Sequence, residues 1–267
     1  MIRLSMATEP GDIDKPNEDW VAANPSLIVV LDGSTARTDT GCVHGVAWYA
    51  AMLGTSIVAR ASSGKSLPSS LRDAIARVAA MHPECDLHHP GTPSAFVAVV
   101  RLLDRDVEYL VLGDAIVALD TDQGIQVIQD DRVEATARPE RTEADRYRIG
   151  TDEKQAALVL MKRAELAARN RSGGFWAATS DPAVVENAII GQVPVSEVVQ
   201  LAVLTDGAAR ITTAFDLLDW QQTFDLLGRA GPTELVRRVR AAESADPDGP
   251  RWPRNKVSDD ATVVYFG

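Results

Sequence analysis

Short apolar runs separated by glycine- and acid-rich breaks set the rhythm of this chain. Residues 27–31 are an unbroken aliphatic run, Leu27-Ile28-Val29-Val30-Leu31, and predict a buried strand. The run stops at Asp32, a side chain costly to bury without a partner. Gly33 follows, and predicts a turn that lets the backbone come close to whatever Asp32 holds. Residues 3–8 and 20–22 predict two earlier strands, with a Gly/Asp/Pro-rich loop over 9–16 that Asn17-Glu18-Asp19 closes. From 42 to 61, Val43, Val46, Ala47, Ala50, Leu53, Ile57 and Val58 keep helical spacing with a wide apolar face. Leu71, Ile75 and Val78 predict a second helix over 67–81.

Between 94 and 129 the period changes. Runs at 95–103, 107–112, 116–119 and 125–128 are broken by Asp104-Arg105-Asp106, Gly113-Asp114 and Asp122-Gln123-Gly124, which predicts an antiparallel meander. Residues 142–170 are charged and alanine-rich and predict one or two exposed helices with a solvated charged face. A strand is expected over 175–179, a short helix over 182–190, and a strand over 198–204 that ends in Thr205-Asp206-Gly207. Helices over 217–228 and 232–245 and a closing strand over 261–266, after Ser258-Asp259-Asp260, complete the pattern. No linker interrupts it, so residues 1–267 are expected to form one domain of mixed strands and helices.

Composition narrows the function classes. The apolar fraction of 45% is ordinary for a globular chain of 267 residues. A net charge of −11 with no Lys/Arg run argues against nucleic acid and anionic membrane surfaces as partners. No apolar stretch approaches the roughly 20 residues of a membrane span, and Met1-Ile2-Arg3-Leu4 leads straight into polar sequence, so no export signal is expected. Cys42 and Cys85 are far apart and in no metal-type spacing, which predicts free thiols in a reducing cytoplasm. The adjacent His88-His89 pair reads as a solvated loop feature, since neighbouring imidazoles do not share a metal in regular structure.

Acids mark the ends of the apolar runs. Asp32 and Asp206 each close a run and precede a glycine, Asp259-Asp260 opens the last strand, Glu18-Asp19 precedes the second, and Asp114 follows Gly113. Carboxylates from distant sequence that converge at strand edges need a cation or a proton between them. Oxygen-only donors select hard ions such as Mg²⁺ or Mn²⁺. The plain alternative for each acid taken singly is a turn cap facing water.

The ordered set Asn17-Glu18-Asp19, Val30-Leu31-Asp32-Gly33, Gly113-Asp114, Leu204-Thr205-Asp206-Gly207 and Asp259-Asp260-Ala261-Thr262 resembles the metal-dependent protein phosphatases of the PPM type, also called type 2C serine/threonine phosphatases. The resemblance spans about residues 4–266, and Gly91-Thr92-Pro93-Ser94-Ala95 looks like the family's lead-in to a central strand. It implies an α+β fold, a four-layer α-β-β-α sandwich of two antiparallel sheets flanked by helices, with the metal site at one end. It implies that Asp32 bridges two metals, Gly33 offers its carbonyl, Asp206 and Asp259 complete the first metal, and Glu18 and Asp19 hold waters of the second. Asp114, with Asp206, matches the position that helps bind a third metal in some members. The implied activity is hydrolysis of phosphoserine, phosphothreonine or another phosphomonoester by a metal-activated water, with no covalent intermediate.

The chain also leaves the family pattern in places. Ser34-Thr35-Ala36-Arg37 replaces the usual glycine-rich stretch, and His44 is the nearest histidine, open to a general-acid role or to helix-end packing. The usual phosphate-binding arginine is Asp14, leaving Lys15 or Arg37 to supply positive charge. The usual Asn after the last ligand is Asp260, and the offset from Thr262 favours Asp259 as the ligand. These departures set a phosphatase against a catalytically weak or inactive binding module of the same fold. A third reading, a phosphotransferase with an aspartyl nucleophile, lacks its second acid, because Ser34 and Ala208 stand two residues on.

Overall fold

The computed structural model describes residues 3–267. Met1 and Ile2, which open the stretch read for an export signal, lie outside the described residues. Ten strands form two antiparallel sheets. One is ordered β1 (Leu4–Glu9), β10 (Ala261–Phe266), β9 (Val198–Leu204), β6 (Ile116–Thr121) and β7 (Gly124–Ile128). The other is ordered β2 (Trp20–Asn24), β3 (Leu27–Gly33), β4 (Ala95–Leu102), β5 (Asp106–Leu112) and β8 (Ile189–Pro194).

The two-residue period of a strand sends alternate side chains of β3 into different layers. Ile28 and Val30 enter the space between the sheets and join a cluster with Val117, Leu119, Val203 and Val264. Leu27, Val29 and Leu31 point the other way, onto α1 (Val46–Ala61) and α2 (Leu67–Ala79), where Leu53, Ile57, Leu71 and Ile75 receive them. On the far side, Ile116, Ala202, Leu204 and Val263 pack on α6 (Asp206–Thr213), α7 (Trp220–Ala230) and α8 (Pro232–Ala245) through Phe224, Leu227, Leu235 and Val239. The result is helix, sheet, sheet, helix. Both faces of the central strands are therefore dry, which is why residues 27–31 carry no polar alternation. Among the described residues no helix is long and apolar enough to cross a membrane.

Several sequence expectations are corrected by the packing. The break at Gly113-Asp114 is not a hairpin: β5 pairs with β8 and β6 with β9, so the chain crosses from one sheet to the other there. A turn signal reports that the chain reverses, not which sheet it joins. Asp32 and Gly33 stay in the ladder of β3, opposite Phe96 and Ala95, and Gly33 makes no turn. What Gly33 provides is closeness, since a Cβ there would lie 2.5 Å from the carbonyl oxygen of Glu18. The first helix begins at Val46 rather than Cys42, after Gly45 at φ +80°, and Val43 is 84% exposed.

Residues 175–179 form only isolated bridges, Ala95 with Ala178 and Arg169 with Phe175. A 3-10 turn over Pro182–Asn187 and strand β8 take the place of the single helix expected over 182–190. Helix α6, which opens at Asp206, had no sequence expectation. The charged region yields α3 (Arg132–Ala135), α4 (Arg138–Ala144) and α5 (Asp152–Ala168), but α5 buries Lys154, Lys162 and Glu165 instead of solvating them.

Helix α1 sits close to β2 because Gly54 faces the ring of Trp20, where an added Cβ would lie 2.1 Å from Cε3. Alanine gains about 1 kcal/mol in helix propensity, but overpacking costs about 1–3 kcal/mol. At so short a distance the clash dominates. Gly54→Ala is expected to lower the urea midpoint by a net ~1 kcal/mol of stability at an unchanged m-value, measured by equilibrium unfolding.

Candidate metal centre

Strand ends deliver the acids. Asp32 is the penultimate residue of β3, Asp206 opens α6 directly after β9, Asp114 sits in the crossover from β5 to β6, and Asp259 precedes β10. All four, with Gly33, line one cavity of about 130 Å³ at one end of the sandwich. The other two expected residues do not line it. Glu18 faces an adjoining groove of about 860 Å³ and accepts from Thr35 Oγ1 at 2.6 Å. Asp19 is buried beneath, where its Oδ2 accepts from Thr205 Oγ1 at 2.8 Å and Thr262 Oγ1 at 2.7 Å.

The neighbouring acids of the last motif have different surroundings. Asp260 accepts from the backbone N–H of Gly11 at 2.8 Å and of Glu18 at 2.7 Å, so its carboxylate is spent on holding the 9–18 loop. Asp259 turns into the cavity, where Arg210 Nη2 donates to it at 2.8 Å and the Lys256 ammonium sits on its other oxygen. Arg210 also donates to the fully buried Glu243 at 2.9 Å. Sequence reasoning missed both cations. Arg210 stands four residues after Asp206 on one helix, a spacing that sets two side chains on one face, and Lys256 stands three before Asp259.

The cavity has a rim of mixed charge. Arg141 of α4 and Lys162 and Glu165 of α5 line it, with Arg141 donating to Glu165 at 2.9 Å and Lys162 Nζ to Ser34 Oγ at 3.1 Å. Arg37 lines both the cavity and the groove. Lys15 instead pairs with Asp12 at the surface, at 2.8 Å. His44 lies on the groove and not on the cavity.

Electrostatics follow from this placement. Burial, then the charge of Asp206 and the nearby acids, pushes the Asp32 carboxyl well above the usual range. Asp114 is raised well above it too, by burial and by Asp206. Asp206 rises through burial and the charge of Asp259, against the pull of Arg210. Asp19 rises through burial despite its two threonine donors, and Glu18 through burial despite Thr35. Asp259 goes the other way: burial would raise it, but Lys256 and Arg210 hold it below the ordinary value. Burial depresses the Lys162 ammonium, with Glu165 opposing.

The donor set fits a hard cation. Asp114 Oδ1 is buried with no hydrogen-bond partner, and Asp32 has only a long contact, 3.4 Å, from the Asp206 N–H. Buried polar oxygens in folded proteins are nearly always paired, so orphaned carboxylate oxygens on one cavity call for a positive charge. All donors are oxygen, the chemistry of Mg²⁺ or Mn²⁺.

No family model matches the sequence, and no curated protein matches it. Solved structures do resemble it. The serine/threonine phosphatase Stp1 from Staphylococcus aureus has a TM-score of 0.60 at 12% identity, covering 100% of this chain and 95% of that one. The PPM Ser-Thr phosphatase MsPP from Mycobacterium smegmatis, in complex with cacodylate, has 0.57 at 18% identity over 99% and 97%. The catalytic domain of the serine threonine protein phosphatase PstP, in complex with two manganese ions, has 0.56 at 14% identity over 99% and 97%. The fold is that of the PPM-type serine/threonine phosphatases. On this PPM fold the two sheets and their outer helices are the four-layer sandwich that the motif order implied.

A raised carboxyl binds its proton more tightly in the folded state. Its contribution to stability is therefore largest below the unfolded value, near 3.8 for aspartate, and declines as pH rises through the folded value. Asp114→Asn removes that loss. In chelator at pH 7 the variant is expected to be about 1 kcal/mol more stable, roughly 2–4 °C in Tm. The gain should vanish below about pH 4, where both side chains are neutral, as measured by calorimetry across pH.

Proposed function

We propose that this chain is a metal-dependent phosphoric monoester hydrolase, acting on phosphoserine and phosphothreonine or on another phosphomonoester. The observation that carries this reading is the pairing of two charge sets on one cavity. Asp32 and Asp114 have no cation paired with them on its floor, and Asp206 beside them feels Arg210 only through space, while Arg37, Arg141 and Lys162 rim it. A cation and a phosphoryl group are the complementary pair that such a cavity takes.

In this reading the carboxylates of Asp32 and Asp206, the Gly33 carbonyl and Asp259 would hold a first Mg²⁺ or Mn²⁺, Glu18 and Asp19 would orient waters of a second, and Asp114 with Asp206 would serve a third. Such ions, when bound, would supply a water of lowered pKa and positive charge toward the phosphoryl group. Asp32 and Asp206 position these charges, and Asp19, fixed by Thr205 and Thr262, keeps the floor rigid. Arg37, which lines the cavity where Lys15 does not, supplies the guanidinium that binds the phosphate in place of the arginine replaced by Asp14. Lys162 and Arg141 close over it from α5 and α4 and exclude bulk water, which strengthens every charge inside. The reaction consumes water and the monoester and releases an alcohol and inorganic phosphate.

A second reading, a catalytically weak or inactive binding or regulatory module, is favoured by Asp259. Its charge is already compensated by Arg210 and Lys256, two cations that belong to the protein.

The deciding assay follows hydrolysis of p-nitrophenyl phosphate and of a phosphothreonine peptide with Mn²⁺, with Mg²⁺ and with chelator. The phosphatase reading expects metal-dependent turnover, reduced roughly 10²–10³-fold by Asp32→Ala or Asp206→Ala. Calorimetric metal binding without turnover would support the module instead, and absence of both would remove the metal-dependent reading.

Arg37→Ala separates the phosphate ligand from the metal ligands. It is expected to raise KM about tenfold, the loss of one charge-assisted contact, whereas Lys15→Ala should leave both kcat and KM unchanged in the same assay.

A further inference from the structure

Away from the acidic cavity, the fold brings together the two cysteines that the sequence keeps apart. Cys42 and His44 lie in the loop between β3 and α1, and Cys85 lies in the loop between α2 and β4. Cys42 Sγ, Cys85 Sγ and His44 Nδ1 all lie within 4.8 Å of one another. Both sulfurs stand 3.6 Å from the same nitrogen. Among the described residues this is the one group of three or more Cys, His, Asp or Glu donors that meets so closely.

We propose that Cys42, His44 and Cys85 form a binding site for a thiophilic divalent cation, Zn²⁺. With Zn–S near 2.3 Å and Zn–N near 2.05 Å, a tetrahedron has an S···N edge of about 3.6 Å. Both S···N separations match that edge. Their equality places the nitrogen against two sulfurs at once, which is the convergence a metal needs. A disulfide would instead require the sulfurs to bond at about 2.05 Å, with the imidazole as a bystander.

The surroundings hold the donors in place. The His44 ring stacks on Trp48, with centroids 4.2 Å apart, and meets His82 edge-on at 4.9 Å. His82 is itself fixed by an Nδ1 contact to the Val78 carbonyl at 2.8 Å. Nδ1 of His44 is therefore aimed before any ion arrives. The backbone N–H of His44 donates to Cys42 Sγ at 3.5 Å, the kind of outer contact that stabilises a ligating thiolate. Binding releases the two thiol protons, and the fourth position opens to solvent because His44 is exposed.

The two loops already touch, through the Asp86 N–H and the Gly41 carbonyl at 2.9 Å. An ion at this site would clamp the loop that carries Ser34 and Arg37 to the loop after α2. It would act on the rim of the acidic cavity without sharing a ligand with it. The donor chemistry keeps the two sites distinct, since sulfur and imidazole select Zn²⁺ and carboxylate oxygens select Mg²⁺ or Mn²⁺.

The test titrates Co²⁺, as a coloured probe for Zn²⁺, into the reduced, metal-stripped full chain in excess Mg²⁺. The proposal expects one equivalent to produce a thiolate-to-cobalt charge-transfer band and tetrahedral ligand-field bands, both bleached by Zn²⁺. Cys42→Ser, Cys85→Ser and the exposed-site variant His44→Ala should each lose or strongly weaken the bands. Asp32→Asn should keep them, which separates this site from the acidic cavity. Retention of the near-ultraviolet circular dichroism of the parent shows that a variant is folded. No charge-transfer band in the parent, bands that persist in the Cys42→Ser/Cys85→Ser double variant, or a Cys42–Cys85 disulfide that forms in the presence of Zn²⁺ would each overturn the proposal.

Discussion

Carboxylates that are forced together inside a protein repel one another, and this repulsion governs one whole end of the sandwich. Two unit charges 4 Å apart cost about 4 kcal/mol at an effective dielectric constant near 20, a large share of the net stability of a domain. Asp32, Asp114, Asp206 and Asp259 cannot all be ionised around one cavity without compensation. The protein supplies part of it. Arg210 reaches from α6 to Asp259, and its other nitrogen binds Glu243 in the last turn of α8. Arg240, also on Glu243, continues the chain to the carbonyl of Glu9. The network that neutralises Asp259 thus also fastens the outer helices to the strand ends.

What is left uncompensated sets the charge that the cavity offers a ligand. Asp32 and Asp114 have no cation of their own, and Asp206 shares Arg210 only through space. Over them lie α4 and α5, whose buried Lys162 and Glu165 and partly buried Arg141 bring a mixed rim of charge. In the proposed reading, this floor would take a cation and the basic members of the rim an anion, while the likeness to known phosphatases, at low identity, supports the fold alone.

The 34–45 loop joins the two halves of this end. Its first residues, Ser34 and Arg37, face the cavity, and its last, Cys42 and His44, meet the second loop at Cys85. Ser34 continues the β-ladder through its N–H to the Ser94 carbonyl, at 3.0 Å, so one end of the loop is tied to the sheet. Its far end reaches α1 at Gly45, whose φ of +80° is open to glycine without strain. Whatever fixes Cys42 and Cys85 relative to each other therefore bears on where Arg37 stands.

The strands were legible because their burial writes itself into composition. Residues 27–31, 201–204 and 263–265 are buried on both faces and carry apolar side chains, so the runs and the acids beside them stand out in one dimension. That was enough to order Asp32, Asp206 and Asp259, and the resemblance that this order carries implied the two-sheet sandwich. Local signals gave out wherever a partner lay far along the chain. Gly113-Asp114 announces a reversal, but only the pairing of β5 with β8 and β6 with β9 turns it into a crossing between sheets. Helix α5 reads as solvated because its charges carry no mark of the groups that bury them. The meeting of Arg210 with Asp259 and of Cys42 with Cys85 had no short-range signature either. The sequence by itself determined which segments must leave water and which acids end them. Tertiary structure alone decided which charges would meet, because electrostatic and metal-binding partners are set by distance in space and these residues share none in sequence.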